Sequence, residues 1–86
     1  MTDDVKQLRR AYVISYIAMF ESLNKVGAID KKILIDVLSA ESKKILADDS
    51  ENLAGATLHI LYAALASHKS DHDAIEKLFR QEENPE

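Results

Sequence analysis

Residues 53–66 read LAGATLHILYAALA, and this apolar stretch decides the fold. Its apolar residues recur at the four-three-four spacing of a coiled-coil seam, and they are Ala54, Leu58, Leu61 and Leu65. Much of the remaining surface is small, which lets the backbone of another helix approach closely; the small residues are Gly55, Ala56, Ala63 and Ala66. We therefore predict that a helix over 51–68 is the central helix of the fold.

Apolar spacing and capping residues predict three more helices. The first covers 3–25, with Thr2 as its N-cap and Gly27 as its stop. The second begins after Asp30, and we expect a bend or break where its apolar face weakens over 39–42. The polar loop 48–50 supplies the cap of the central helix.

A short fourth helix is predicted after a capping box over 70–73, with its apolar residues pointing inward. These inward residues are Ile75, Leu78 and Phe79. Residues 81–86 are charged, and we predict that they form a frayed tail.

The first helix carries two apolar ridges side by side. One ridge consists of Val5, Leu8, Tyr12, Tyr16, Met19 and Leu23. The other consists of Val13, Ile17 and Phe20. Because the middle of this helix is apolar nearly all round, we expect it to be buried on more than one side.

Length and composition restrict the fold class. The chain has 86 residues, which predicts one domain over 1–86. Two glycines and one proline are too few for a turn-rich β architecture, and short connections favour antiparallel neighbours. We therefore predict an all-α fold, a small antiparallel bundle of three long helices and one short C-terminal helix.

The absence of cysteine bears on chemistry and location. It excludes thiolate metal ligands and thiol catalysis, and it favours a reducing compartment. Lys6, Arg9 and Arg10 precede the apolar run 11–20 and give it the outline of a secretory signal. Acidic residues before this run and Glu21 after it argue against that interpretation. No apolar run reaches the about 18 residues of a membrane-spanning helix, so we predict a cytoplasmic protein without a membrane partner.

The histidines are the candidates for a metal site. His68 and His72 stand four apart, a spacing that can bind zinc when the helix is unbroken. A cap at Ser70 predicts a helix boundary between them, so we expect a polar loop. A metal-binding bundle in which His59 converges with the other two is one alternative. His59 lies between Leu58 and Ile60 and is expected at the edge of the core or in an interface. A phosphotransfer role would require an exposed ring, and the Lys-Gly that usually follows such a histidine is absent here.

Basic pairs raise the alternative of a DNA-binding transcriptional regulator. These pairs are Arg9-Arg10, Lys31-Lys32 and Lys43-Lys44. The formal net charge is −4, and the loop before the central helix is acidic, which opposes contact with phosphates. A recognition helix also needs polar side chains to reach base edges, and the central helix offers few. Nucleic acid is therefore not the expected partner.

Catalytic motifs are not found in the sequence. No serine lies in a nucleophile elbow or triad context, and the two glycines are too isolated to form a phosphate-binding loop. The paired carboxylates at 3–4 and 48–49 are explained as helix caps. We expect a protein that is not an enzyme and that uses no cofactor.

The surplus of apolar helix surface is the strongest functional signal. A bundle this small has few places to bury it, and a symmetric dimer buries the same patch twice. The alternative is a compact monomer in which the third helix is fully central. We therefore predict a homodimeric protein–protein interaction module, a small regulator or adaptor with a possible further protein partner. The predicted interface residues are Tyr12, Tyr16, Phe20, Ala54, Leu58, Leu61 and Leu65.

The stretch IDKKILIDVL at 29–38, followed by a polar loop and an apolar helix, resembles the small helical biofilm and acid-resistance regulators of enteric bacteria. This resemblance covers less than half of the chain and includes no diagnostic motif. No residue is assigned a role from it.

Overall fold

The computed structural model describes residues 2–67 and 71–83. They form four helices, namely α1 (Asp3–Lys25), α2 (Lys31–Asp48), α3 (Leu53–Ala66) and α4 (His72–Glu83). No strand occurs within these two ranges. The predicted all-α bundle of three longer helices and one short C-terminal helix is confirmed.

The ends of α1 and the start of α2 follow the predicted capping. The Thr2 Oγ1 accepts a hydrogen bond from the Val5 backbone N–H at 3.3 Å, which satisfies one of the free donors of the first turn. After α1, Gly27 adopts a φ of 71°, a left-handed conformation that glycine enters without a steric penalty. The Asp30 side chain then accepts from the Ile33 N–H and starts α2.

Two features of α2 and α3 differ from expectation. Helix α2 is continuous through 39–42, and the Ser42 hydroxyl donates to the Ser39 carbonyl inside it. Because that hydroxyl is satisfied within the helix, Ser42 is buried without breaking it. Helix α3 is capped by Asn52, whose side chain accepts from the Gly55 N–H, and not by the polar loop 48–50.

Helix α4 begins and ends differently from the prediction. Asp71 caps it by accepting from the Ala74 N–H at 2.7 Å, whereas Ser70 lies outside the described residues. The helix continues through Glu83, three residues into the segment predicted to fray. Glu82 and Glu83 form ion pairs with α1, which hold this last turn in place. Residues 84–86 lie outside the described ranges.

The core surrounds α3, which packs against α1, α2 and α4. Leu61 and Ala64 have no exposed surface, so the prediction of a central third helix is confirmed. The other buried apolar residues are Val13, Ile17, Phe20, Leu38, Ile60, Leu65, Ile75 and Phe79. Helices α2 and α3 approach closely at Gly55, where a Cβ atom would lie only 2.9 Å from the Ile45 Cγ2.

Candidate interaction surface

The two apolar ridges of α1 lie in different environments. Val13 and Ile17 of the second ridge are buried against α3 and α4. Leu8 and Met19 of the first ridge are 69% and 56% exposed. Single exposed apolar side chains are common on proteins, but a continuous row of them marks a contact surface.

The exposed ridge joins the start of α3 to form one apolar surface. A groove of about 430 Å³ lies between the two helices, and it is lined by Val5, Leu8, Arg9, Tyr12, Leu53, Ala54, Thr57 and Leu58. A second groove of about 460 Å³ continues along α1 past Leu8 and Tyr12, where it is lined by Ala11, Ser15, Tyr16 and Met19. We call these two grooves together the α1–α3 face.

The α1–α3 face has little charge. Among the described residues that line it, Arg9 is the one charged residue. Its guanidinium is turned away from solvent, and the residue is only 8% exposed. A partner can therefore cover this face without burying an unpaired charge, which would be costly.

Arg9 joins three helices. Its Nε donates to the Thr57 Oγ1 on α3 at 2.6 Å, and its terminal nitrogens donate to both carboxylate oxygens of Glu82 on α4. The Thr57 hydroxyl in turn donates to the Leu53 carbonyl at 2.7 Å. Such a bidentate pair fixes the guanidinium in one orientation. The role supported by these contacts is structural, since they orient α3 and α4 against α1.

The neighbouring Arg10 also holds α4. Its Nε donates to the Glu76 carboxylate, and the Phe79 ring lies 5.1 Å from its guanidinium carbon. The guanidinium carbon of Arg9 lies 5.3 Å from the same ring, so both cations contribute cation–π contacts to it. The basic pair at 9–10 is thus engaged within the chain, which weakens its candidacy for binding phosphates.

The predicted interface residues divide into two groups. Tyr12 and Ala54 are exposed on the α1–α3 face, and Tyr16 and Leu58 are half-buried there. The other three are core residues of a single chain, and their exposed fractions are 5% for Phe20, 0% for Leu61 and 3% for Leu65. Because Phe20 on α1 and the two leucines on α3 are buried within the single chain, they leave almost no surface for a partner, and their assignment to an interface is corrected.

Sequence reasoning missed three members of this surface, namely Leu8, Met19 and Leu53. Leu8 and Met19 belong to the ridge that the helical spacing had already identified. Leu53 stands one residue before the coiled-coil seam of α3 and is 44% exposed. The sequence showed that α1 has two neighbouring apolar ridges. Spacing alone does not say which of the two ridges another helix covers.

The histidines do not converge within the described part of the chain. His59 is exposed, and its ring centroid lies 5.9 Å from that of Tyr62. His72 is exposed at the start of α4, and His68 lies outside the described residues. Within 2–67 and 71–83, no group of three or more His, Cys, Asp or Glu residues is placed to hold a metal ion.

No helix in the described ranges has the length and apolar character needed to cross a membrane. Comparison with protein-family models, with curated proteins and with solved structures found no match, so the chain is assigned to no family.

Proposed function

We propose that this chain is a non-enzymatic protein–protein interaction module that forms a homodimer through the α1–α3 face, as small regulators and adaptors do. The observation that carries the proposal is the set of exposed apolar side chains along α1, namely Leu8, Tyr12 and Met19, flanked by Leu53 and Ala54 of α3. Burying such surface is the dominant favourable term in protein association.

The length of the face supports a contact of useful size. Helix α1 has 23 residues, so it is about 35 Å long, close to the longest dimension of the molecule, 37 Å. A stable interface buries about 800 Å² on each partner, which is roughly an eighth of the chain's 5992 Å² of accessible surface. A face that runs the length of the molecule can supply an area of this order.

A second copy of the chain is the simplest partner to propose for the α1–α3 face. In a two-fold dimer the same apolar surface covers itself, and both copies gain a protected face. The surface is nearly uncharged, so placing it against itself brings no like charges into contact across its centre. A chain of 86 residues with no cysteine also benefits from association, because its single core is small.

The test is the mass of variants that change exposed apolar residues on two different helices. Leu8→Asp places a charge in the α1–α3 face, and we expect it to weaken association by about thirtyfold or more, the size of a hot-spot effect of about 2 kcal/mol. Val37→Asp is the matched control, because Val37 is 51% exposed on α2, outside the face. Sedimentation equilibrium over a wide concentration range measures both variants beside the wild type.

A dimeric wild type with a monomeric Leu8→Asp and a dimeric Val37→Asp supports the proposal. A monomeric wild type at all concentrations contradicts it. If Val37→Asp alone dissociates the dimer, the interface lies on α2 and the proposed face is wrong. Circular dichroism of each variant shows whether the helices are retained, so that loss of the dimer is not confused with loss of the fold.

A further inference from the structure

Helix α1 carries a row of small exposed residues beside its exposed large ones. This row consists of Ala11, Ser15, Ala18 and Ser22, all of them exposed. It repeats at the same four-three-four spacing as a coiled-coil seam and lies next to Leu8, Tyr12 and Met19 on the helix surface. One helix therefore presents both a row of protrusions and a row of recesses.

We propose that two copies of the chain pair through α1 in antiparallel orientation, with the two-fold axis passing beside Ser15. This inference rests on the proposed homodimer and specifies its geometry. In such a pair, residues whose numbers sum to 30, twice fifteen, lie opposite each other.

The two-fold symmetry keeps the large rows of both copies on one side of the contact and the small rows of both copies on the other side. Leu8 lies opposite Ser22 of the second copy. Tyr12 lies beside its Met19 on the side of the large rows, and Ala11 lies beside its Ala18 on the side of the small rows. The small rows let the two helix backbones approach closely on one side, and the large side chains fill the space on the other side, so the packing density of a protein interior becomes possible.

The charges at the ends of α1 favour antiparallel over parallel pairing. Asp3 and Asp4 lie in the first turn and Lys25 in the last. The antiparallel register brings Asp4 near Lys25 of the second copy at both ends of the contact, which is complementary. A parallel pair would instead place the acidic first turns of the two copies side by side, and it would align the two helix dipoles unfavourably.

The antiparallel register also places α1 of the second copy along the groove between α1 and α3. The C-terminal half of the second α1 lies along the N-terminal half of the first, where Leu53 and Ala54 extend the apolar surface. The contact therefore covers the α1–α3 face as well as the central part of α1. Both copies contribute the same surface, as a two-fold interface requires.

Single-cysteine cross-linking tests this register directly, because the chain has no cysteine of its own. Helix axes about 8–10 Å apart bring facing Cα atoms to about 5 Å, which is within disulfide reach. Ser15→Cys places a thiol at the proposed axis, where it meets its own copy. Under a mild oxidant such as diamide, we expect this variant to form a covalent dimer at least about tenfold faster than Lys43→Cys, an exposed control on α2, because a disulfide requires Cα atoms within about 7 Å.

A second cysteine position distinguishes the two orientations. In the antiparallel register, two copies of Ser22→Cys hold their thiols about 20 Å apart along the helix axis, so this variant alone should cross-link no faster than Lys43→Cys. A mixture of Ser22→Cys with Leu8→Cys should form a covalent heterodimer rapidly, because those two positions face each other. Both single substitutions are at exposed sites, so the fold is retained.

Each other outcome overturns the register. Rapid cross-linking of Ser22→Cys with itself would show a parallel pair. Ser15→Cys that reacts only as fast as Lys43→Cys would show that α1 does not pair at this position. In either case, a dimeric mass in sedimentation equilibrium would leave the proposed homodimer standing, whereas a monomeric mass would remove both proposals.

Discussion

The two apolar ridges of α1 consist of similar side chains, but one ridge is buried and the other is largely exposed to solvent. Val13, Ile17 and Phe20 are buried in the core, whereas Leu8 and Met19 face solvent only about a third of a turn away. Burial of the first ridge stabilises the folded chain. The second ridge contributes little to that stability, and its apolar surface is available for the association that we propose. If the proposed dimer forms, one helix separates folding from binding on two of its faces, and we expect that each face can be changed independently.

The largest effect is expected from a substitution in the buried ridge that leaves the exposed ridge unchanged. Phe20→Ala should lower the free energy of unfolding by about 3–5 kcal/mol at every protein concentration, because it leaves a cavity in the core. Met19→Ala, one residue away, should change stability by less than about 0.5 kcal/mol in dilute solution and should lose stability relative to the wild type only as concentration rises. Urea unfolding at low and high protein concentration measures both, and equal losses for the two variants would contradict the division of α1 into two faces.

A somewhat smaller effect is expected at the boundary between the ridges, where Arg9 lies. Arg9→Met removes the guanidinium that donates hydrogen bonds to Glu82 and to Thr57. We expect a loss of about 2–3 kcal/mol, below the range for fully buried pairs because Glu82 retains some access to solvent.

Lys6→Met is the matched control for Arg9→Met. Lys6 pairs with Glu83 at 3.6 Å, and both side chains are about a third exposed. Exposed pairs contribute about 0–1 kcal/mol, so thermal unfolding of Lys6→Met should nearly match the wild type. A loss at Lys6 as large as that at Arg9 would show that simple charge balance, and not the buried geometry, holds α4.

The same contrast between a covered and an open position occurs on α3, at two adjacent residues. Gly55 touches α2, and a Cβ there would press on Ile45 and Leu46, whereas Ala54 is exposed in the groove. Gly55→Ala should lose about 1 kcal/mol, since overpacking exceeds the gain of about 0.5–1 kcal/mol in helix propensity. Ala54→Gly should lose about as much in dilute solution, but through helix propensity alone. A stabilised Gly55→Ala would mean that α2 moves aside at little cost.

The smallest expected effect concerns the ends of the exposed ridge. Lys25→Glu and Asp4→Lys should each weaken the dimer by about two- to fivefold, the size of an exposed charge pair. The double exchange should recover part of the loss if the two residues meet across the interface. Sedimentation at low salt, where screening is weak, gives the best resolution. Full additivity of the two losses would argue against the antiparallel register.

Much of this fold could be predicted from local sequence signals. The bounds of α1, its cap at Thr2 and its stop at Gly27 follow from spacing and from residue types that act within a few positions. The small residues around Gly55 correctly indicated that another helix approaches α3 closely. These features depend on nearest neighbours along the chain, and the sequence displays them directly.

The surface was harder to predict, because it depends on contacts between distant residues. Spacing showed that α1 has two apolar ridges but not that α4 would cover the one with Phe20. Arg9 stands four residues before Val13, which places it on the buried side, yet its partner Glu82 is 73 residues away and lay in a segment expected to fray. Leu61 and Leu65 followed the seam spacing correctly, and their role as core residues became clear only from the packing of all helices around α3.

The contact of Arg9 with Glu82 also has a consequence for the order of events on the ribosome. Translation proceeds at about 5–20 residues per second, so Glu82 is added about 4–15 seconds after Arg9, its partner 73 positions earlier. During that interval the inner ridge of α1 lacks α4, and the nascent chain presents apolar surface on both ridges at once. Helix α1 is thus secured by α4, which is synthesised after it, and the apolar surface that α4 covers stays open to aggregation until α4 is complete.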